Sequence, residues 1–147
     1  MELNKELIEE IVRKVASELQ LGCFNFKETD TSGITVVHKD RLGEFDKFDT
    51  GKPNDEVYIK DLFDTKESPR LAAGYMKMCH SRFQWTLNYD EMDYVIEGTL
   101  EIIVNGKKLA GSKGDCIFIP MGSTIEFSAP EYAEFFYVTY PANWSEL

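Results

Sequence analysis

Apolar residues recur at two different periods along the chain, and the change of period divides it. Leu3, Leu7, Ile8, Ile11, Val12, Val15 and Leu19 follow an i, i+3, i+4 spacing that lines one face of a helix, with Glu and Lys on the other face. At the usual rise this helix runs for about 27 Å. Gly22 marks its end, and Lys27 to Gly33 reads as a polar linker or turn. Beyond Ile34 the chain breaks into short runs rich in Val, Ile, Phe and Tyr, divided by Gly, Pro, Asn and Asp, the pattern of an all-β sandwich or barrel. Strands are expected at 34–37, 57–63, 72–80, 82–87, 94–104, 107–110, 116–119, 124–128 and 133–140. Asn105-Gly106 is the strongest hairpin signal, because both turn positions must accept positive φ. The organisation that follows is an amphipathic helix and linker over 1–33 and a barrel over 34–147.

Composition narrows what the barrel does. A chain of 147 residues, 43% hydrophobic, buries one core. A formal charge of -10 repels phosphate backbones and anionic membrane surfaces, which argues against nucleic acid and membranes as partners. No apolar run approaches the roughly 20 residues of a spanning helix. Glu2, Glu6, Glu9 and Glu10 interrupt any signal-peptide core, so a cytoplasmic location is expected. Cys23, Cys79 and Cys116 are widely spaced and form no Cys-x-x-Cys pair, which indicates neither a disulfide framework nor a zinc knuckle.

Two stretches carry the chemistry: Glu91-Met92-Asp93-Tyr94-Val95-Ile96-Glu97-Gly98 and Gly114-Asp115-Cys116-Ile117-Phe118-Ile119-Pro120-Met121-Gly122. Their spacing resembles the two signature motifs of the cupin superfamily, with Glu91 and Gly98 matching the first and Gly114, Pro120 and Gly122 the second. The resemblance implies a jelly-roll barrel. It departs at the metal ligands, since the paired histidine positions fall on Gln84 and Thr86, or on Trp85 and Leu87, and the second-motif histidine on Ile125. Glu91 alone cannot hold iron, zinc or manganese tightly, so no tightly bound transition metal and no redox-metal chemistry are expected. His38 and His80 are the only histidines; His80 alternates with Met76, Met78, Arg82, Gln84 and Thr86 and would share their face if the strand continues unbroken.

The longer blocks Phe83 to Leu100 and Ile119 to Phe127, with the closing Pro141-Ala142-Asn143-Trp144, resemble the EutQ family of ethanolamine utilisation cupins. That resemblance covers 71–147. It implies a protein associated with the bacterial microcompartment and an acetate kinase activity that interconverts acetate plus ATP with acetyl phosphate plus ADP. The chain has no Gly-rich phosphate loop ending in Lys-Ser/Thr, so such chemistry must use another architecture. Acetate is ionised at neutral pH and needs no general base, whereas the moving phosphoryl group needs Mg²⁺ and Lys or Arg to neutralise it.

The candidates for this chemistry are as follows. Glu91 and Asp93 alternate onto one face of a strand, about 6 to 7 Å apart, and are placed to hold a hydrated Mg²⁺. Lys77, Arg82 or Lys113 would supply the cationic contact, and Gln84, Thr86, Arg82 and Tyr89 the nucleotide contacts. The alternative role for Glu91 is a carboxylate bonded to neighbouring hydroxyls, Tyr89 or Tyr94, inside a polar cavity. The alternative function is a non-catalytic cupin that binds a small metabolite or helps assemble the microcompartment. A homodimer is expected. The amino-terminal helix either packs on the protein itself or docks on a microcompartment shell protein.

Overall fold

The computed structural model describes residues 8–12, 14–15 and 25–147. Two compact units divide the chain, Met1–Glu44 and Phe45–Leu147. In the first unit, residues 8–12 and 14–15 are helical, with Ile8, Ile11, Val12 and Val15 exposed. The remainder of the expected helix, Cys23 and Gly22 lie outside the described residues. The segment expected as linker is a hairpin: β1 (Lys27–Thr29) pairs antiparallel with β2 (Thr35–Val37). Its polar sequence folds this way because Asp30 closes the turn. The Asp30 carbonyl accepts from Gly33 N–H at 2.9 Å, and its side chain accepts from Ser32 N–H at 2.9 Å. The expected strand at 34–37 is thus part of a separate two-stranded sheet in the first unit.

The second unit holds β3 (Asp46–Lys47), β4 (Glu56–Asp61), β5 (Ala72–Leu87), β6 (Asp90–Val104), β7 (Lys107–Ser112), β8 (Cys116–Ile119) and β9 (Ser123–Tyr140). All are antiparallel, in the order β3-β4-β5-β9-β6-β7, with β8 pairing with β6. The Asn105-Gly106 turn joins β6 to β7 with φ of 50° and 73°, as its sequence predicts.

Two pairs of expected strands prove to be single long ones. β5 runs through Ser81, and β9 runs through Pro130, a residue that strands tolerate at bulges. The three long strands are irregular at one level: between Cys79 and Ser81 in β5, and at Val95/Glu97 and Gly98/Glu101 in β6, where it faces β9. A bulge bends a strand and sharpens its twist. Gly98 is required there, since φ is +74° and a Cβ would lie 2.0 Å from the Tyr132 carbonyl oxygen. Inward residues of the bent strands form the core, among them Val57, Met78, Phe83, Leu87, Val95, Leu100, Phe127 and Phe135.

Candidate functional site

The bulge at Ser81 decides which β5 residues face inward. Met76 and Met78 point to the core, His80 takes φ of 45°, and the inward row resumes at Ser81, Phe83, Trp85 and Leu87. The row expected through His80, Arg82, Gln84 and Thr86 is therefore turned outward. His80 is exposed, its Nδ1 2.6 Å from the Pro130 carbonyl oxygen. Of the cupin histidine positions, Gln84 and Thr86 are exposed, and Ile125 is buried in the core.

β6 keeps the expected parity. Glu91, Asp93 and Val95 point inward, while Met92 and Tyr94 are exposed. Glu91 lies opposite Thr139 of β9 and Ile119 of β8; Asp93 lies opposite Tyr137 and Ile117. Asp93 is fully buried, and neither of its oxygens receives an N–H or O–H from the protein. The buried Thr139 hydroxyl is likewise without a partner. None of the influences on either carboxyl comes from a cation.

Burial therefore governs the pair. It pushes Glu91 up to about 7, although its hydrogen bond with Asp93 pulls the other way. Asp93 is raised well above the carboxylate range by burial first, then by the charge of Glu91 and the bond to it. Since two ionised carboxylates cannot donate to one another, that bond exists only when the pair holds a proton.

Above the pair lies a small chamber of about 20 Å³, lined by Glu91, Tyr89, Tyr137, Trp85, Trp144 and apolar residues such as Phe127 and Phe135. This is room for about one water molecule. Outside it is an open cleft of about 500 Å³, with Gln84, Thr86, Asp49 and Ser145 on its walls. Phe48, Trp85, Tyr89 and Trp144 line both spaces and form the wall between them. Trp85 donates its indole N–H to the Tyr89 hydroxyl at 2.8 Å. The Trp144 ring, on the 3₁₀ turn Trp144–Glu146, lies 5.7 Å from Tyr89 and 6.4 Å from both Trp85 and Tyr137. Tyr137 donates its hydroxyl to Asp61. Burial raises both tyrosines above the ordinary phenol, with Glu91 next for Tyr89 and Asp61 next for Tyr137.

The structure thus brings Glu91, Asp93 and Tyr89 together, and sets Gln84 and Thr86 on the outer cleft with Tyr89. It does not bring the proposed cations to them. Lys77 alternates with the inward Met76 and Met78, and its Nζ sits 4.2 Å from the Phe45 ring centroid. Arg82 is exposed and paired with Glu126, and Lys113 pairs with Glu97 at 3.2 Å. The expected Glu91–Asp93 cage does not suit a hydrated Mg²⁺. The ion keeps several waters in an octahedral shell, and the chamber has space for one. Among the described residues no cluster of three or more His, Cys, Asp or Glu side chains is arranged to hold a metal.

Trp144, Phe48 and Thr139 were not legible as site residues, whereas Tyr137 reads from the sequence as a core or rim aromatic and lines the chamber. Trp144 and Phe48 reach the chamber from segments that follow and precede the long strands, and nothing in their local spacing signals it.

Comparison with known proteins gives a family match described as ethanolamine utilisation protein EutQ over residues 3–146. A Clostridioides difficile relative named acetate kinase EutQ is 50% identical over 97% of this chain and 95% of its own length. A Salmonella typhimurium relative of the same name is 35% identical over 99% of this chain, which spans 66% of that protein. The crystal structure of the Clostridium difficile EutQ protein matches with a TM-score of 0.78 at 53% identity, over 81% of this chain and 88% of that one. A Cupin_2 domain from Enterobacter cloacae, 14% identical with a TM-score of 0.51 over 57% of this chain and 95% of its own, shares the fold. The barrel has the cupin fold. No described helix is long and apolar enough to cross a membrane.

Proposed function

Because the chain belongs to the EutQ family of ethanolamine utilisation proteins, matched across residues 3–146, we propose that it is an acetate kinase, transferring the terminal phosphoryl group of ATP to acetate. The observation that carries this reading is the 50% identity, over 97% of the chain, to a relative that bears that name. The reading uses the two spaces of the barrel. The small chamber, widened toward the cleft when the Trp144 ring that lines both is displaced, takes the acetate end, whose methyl group suits its aromatic and aliphatic walls, and the open cleft takes the nucleotide.

Charge decides how the nucleotide arrives. Among the described residues no Lys or Arg lines the cleft, and Asp49 does. A bare polyphosphate would be repelled, so ATP enters as its magnesium complex and Mg²⁺ acts as part of the substrate. The acetate carboxylate attacks the terminal phosphorus, the bond from that phosphorus to the bridging oxygen breaks, and ADP leaves. No base is required. The proposal extends to a homodimer acting with the microcompartment, the helical segment docking on a shell protein; the exposed Ile8, Ile11, Val12 and Val15 support that role.

The test is to trap acetyl phosphate with hydroxylamine after incubating the purified chain with acetate, ATP and Mg²⁺. Product should need all three and should fall at least tenfold in Trp144→Ala. Absence of product in the folded native chain would favour the alternative, a non-catalytic cupin that binds a small metabolite.

A further inference from the structure

The chamber and the barrel interior next to it hold an unusual set of groups, of which Glu91 reaches the chamber wall. Two carboxyls, Glu91 and Asp93, sit at consecutive inward positions of β6, and the unpartnered hydroxyl of Thr139 stands across from Glu91 on β9. Cross-strand side chains in such a register lie about 5 Å apart at Cβ. Glu91 is the member of the pair that lines the chamber, with the Tyr89 and Tyr137 rings beside it. Buried polar atoms are seldom left without partners, so the orphaned Thr139 hydroxyl and Asp93 carboxyl, flanking the Glu91 that lines a void, mark a place for a ligand.

The chemistry of that ligand follows from what faces the pair. From β8 come Ile117 and Ile119, and from β9 come Tyr137 and Thr139; Asp61 is engaged by Tyr137. Among the described residues no cation neutralises the carboxyls, and the void is too small for a hydrated metal ion. The groups that remain are a proton held by the carboxyl pair, one free hydroxyl and apolar walls. A protonated carboxyl donates a short, strong hydrogen bond to a second carboxylate. A small monocarboxylate with a methyl-sized tail satisfies both halves of this environment.

We propose that the Glu91–Asp93 pair, with Thr139, is a proton-linked binding site for a small monocarboxylate, which docks on protonated Glu91 and draws one proton from solvent onto the pair when that proton is missing. Trp144 is the ring that must move both to admit the acid and to make room for it beyond the one-water chamber, since it lines both the chamber and the cleft and is held by a short 3₁₀ turn. Without the Glu91 proton, the carboxylates of Glu91 and of the acid would share a dry space beside Asp93, and each added charge there is strongly disfavoured. The site deepens the acetate kinase reading and rests on it for the identity of the acid, but binding of the acid needs neither ATP nor turnover.

The chain's two tryptophans, Trp85 and Trp144, both line the chamber, so its intrinsic fluorescence reports on the site. The experiment is a fluorescence titration of the full chain with sodium acetate from pH 6 to pH 9, with acetamide and sodium chloride as controls. Binding should be independent of pH where the pair already holds its proton. Above the midpoint of Glu91, the dissociation constant should rise about tenfold per pH unit, as uptake of one proton demands. Acetamide should show no such slope, and chloride no saturable response. Glu91→Gln should bind acetate without pH dependence; should that variant not fold, Asp93→Asn should shift the onset of the slope. No saturable response to acetate, or a dissociation constant flat from pH 6 to pH 9, overturns the proposal. Acetyl phosphate formation is assayed separately, so loss of the kinase reading leaves this result standing, and the reverse also holds.

Discussion

Trp85 and Tyr89 are tied by a hydrogen bond from indole N–H to phenol oxygen, 2.8 Å long, across the turn that carries β5 into β6. The bond fixes the wall between chamber and cleft, because both rings line both spaces. Trp85→Phe keeps an aromatic ring and removes the donor. It should lower stability by about 1 to 2 kcal/mol, read as a lower urea midpoint with an unchanged slope. An unchanged midpoint would mean that this bond contributes nothing net.

Gly98 and Gly114 both have positive φ, 74° and 93°, yet they should respond differently to alanine. A Cβ at Gly98 would press on the Tyr132 carbonyl, whereas nothing lies within 4 Å at Gly114. Gly98→Ala should cost about 3 kcal/mol or more, and Gly114→Ala about 1 kcal/mol. Equal losses in thermal denaturation would show that the close approach at the bend is not a constraint.

The inward parity of Glu91 and Asp93 was legible because period-two alternation survives in β6 up to Val95. The parity of β5 was not. The register shift between Cys79 and Ser81, where neither Cys79 nor His80 turns inward, exchanges the two faces, so Arg82, Gln84 and Thr86 turn outward and Phe83, Trp85 and Leu87 turn inward. No local signal in Cys79-His80-Ser81 announces a bulge. The β1–β2 hairpin was read as linker for a related reason: Lys27-Glu28-Thr29 is polar, and its strand character comes from the Asp30 turn and pairing with β2. Trp144 enters the site by tertiary return of the chain, which spacing does not encode.

Stability should fall as pH rises through the neutral range. The folded state holds the Glu91 proton up to about 7, and that of Asp93 further still, while the unfolded chain releases both at ordinary carboxylate values. The folded state therefore binds more protons than the unfolded one between about pH 4.5 and 7, and the stability present below that window is lost across it. Melting temperature should be higher at pH 5 than at pH 8, and Asp93→Asn should flatten the difference. A native profile that rises from pH 5 to pH 8 would contradict the burial of this pair.

Lys77 faces away from the chamber, so Lys77→Ala should leave acetate turnover within about twofold of the native chain. A loss of tenfold or more, in protein with native circular dichroism, would put a functional surface on the outer face of β5.

The most direct measurement is the ³¹P spectrum of the purified chain mixed with acetate and ATP, recorded before and after Mg²⁺ is added. The account predicts an acetyl phosphate resonance that grows only with Mg²⁺, matched by ADP in equal amount and abolished when acetate is omitted. ATP signals that stay unchanged over hours in the complete mixture, with the protein folded throughout, would contradict it.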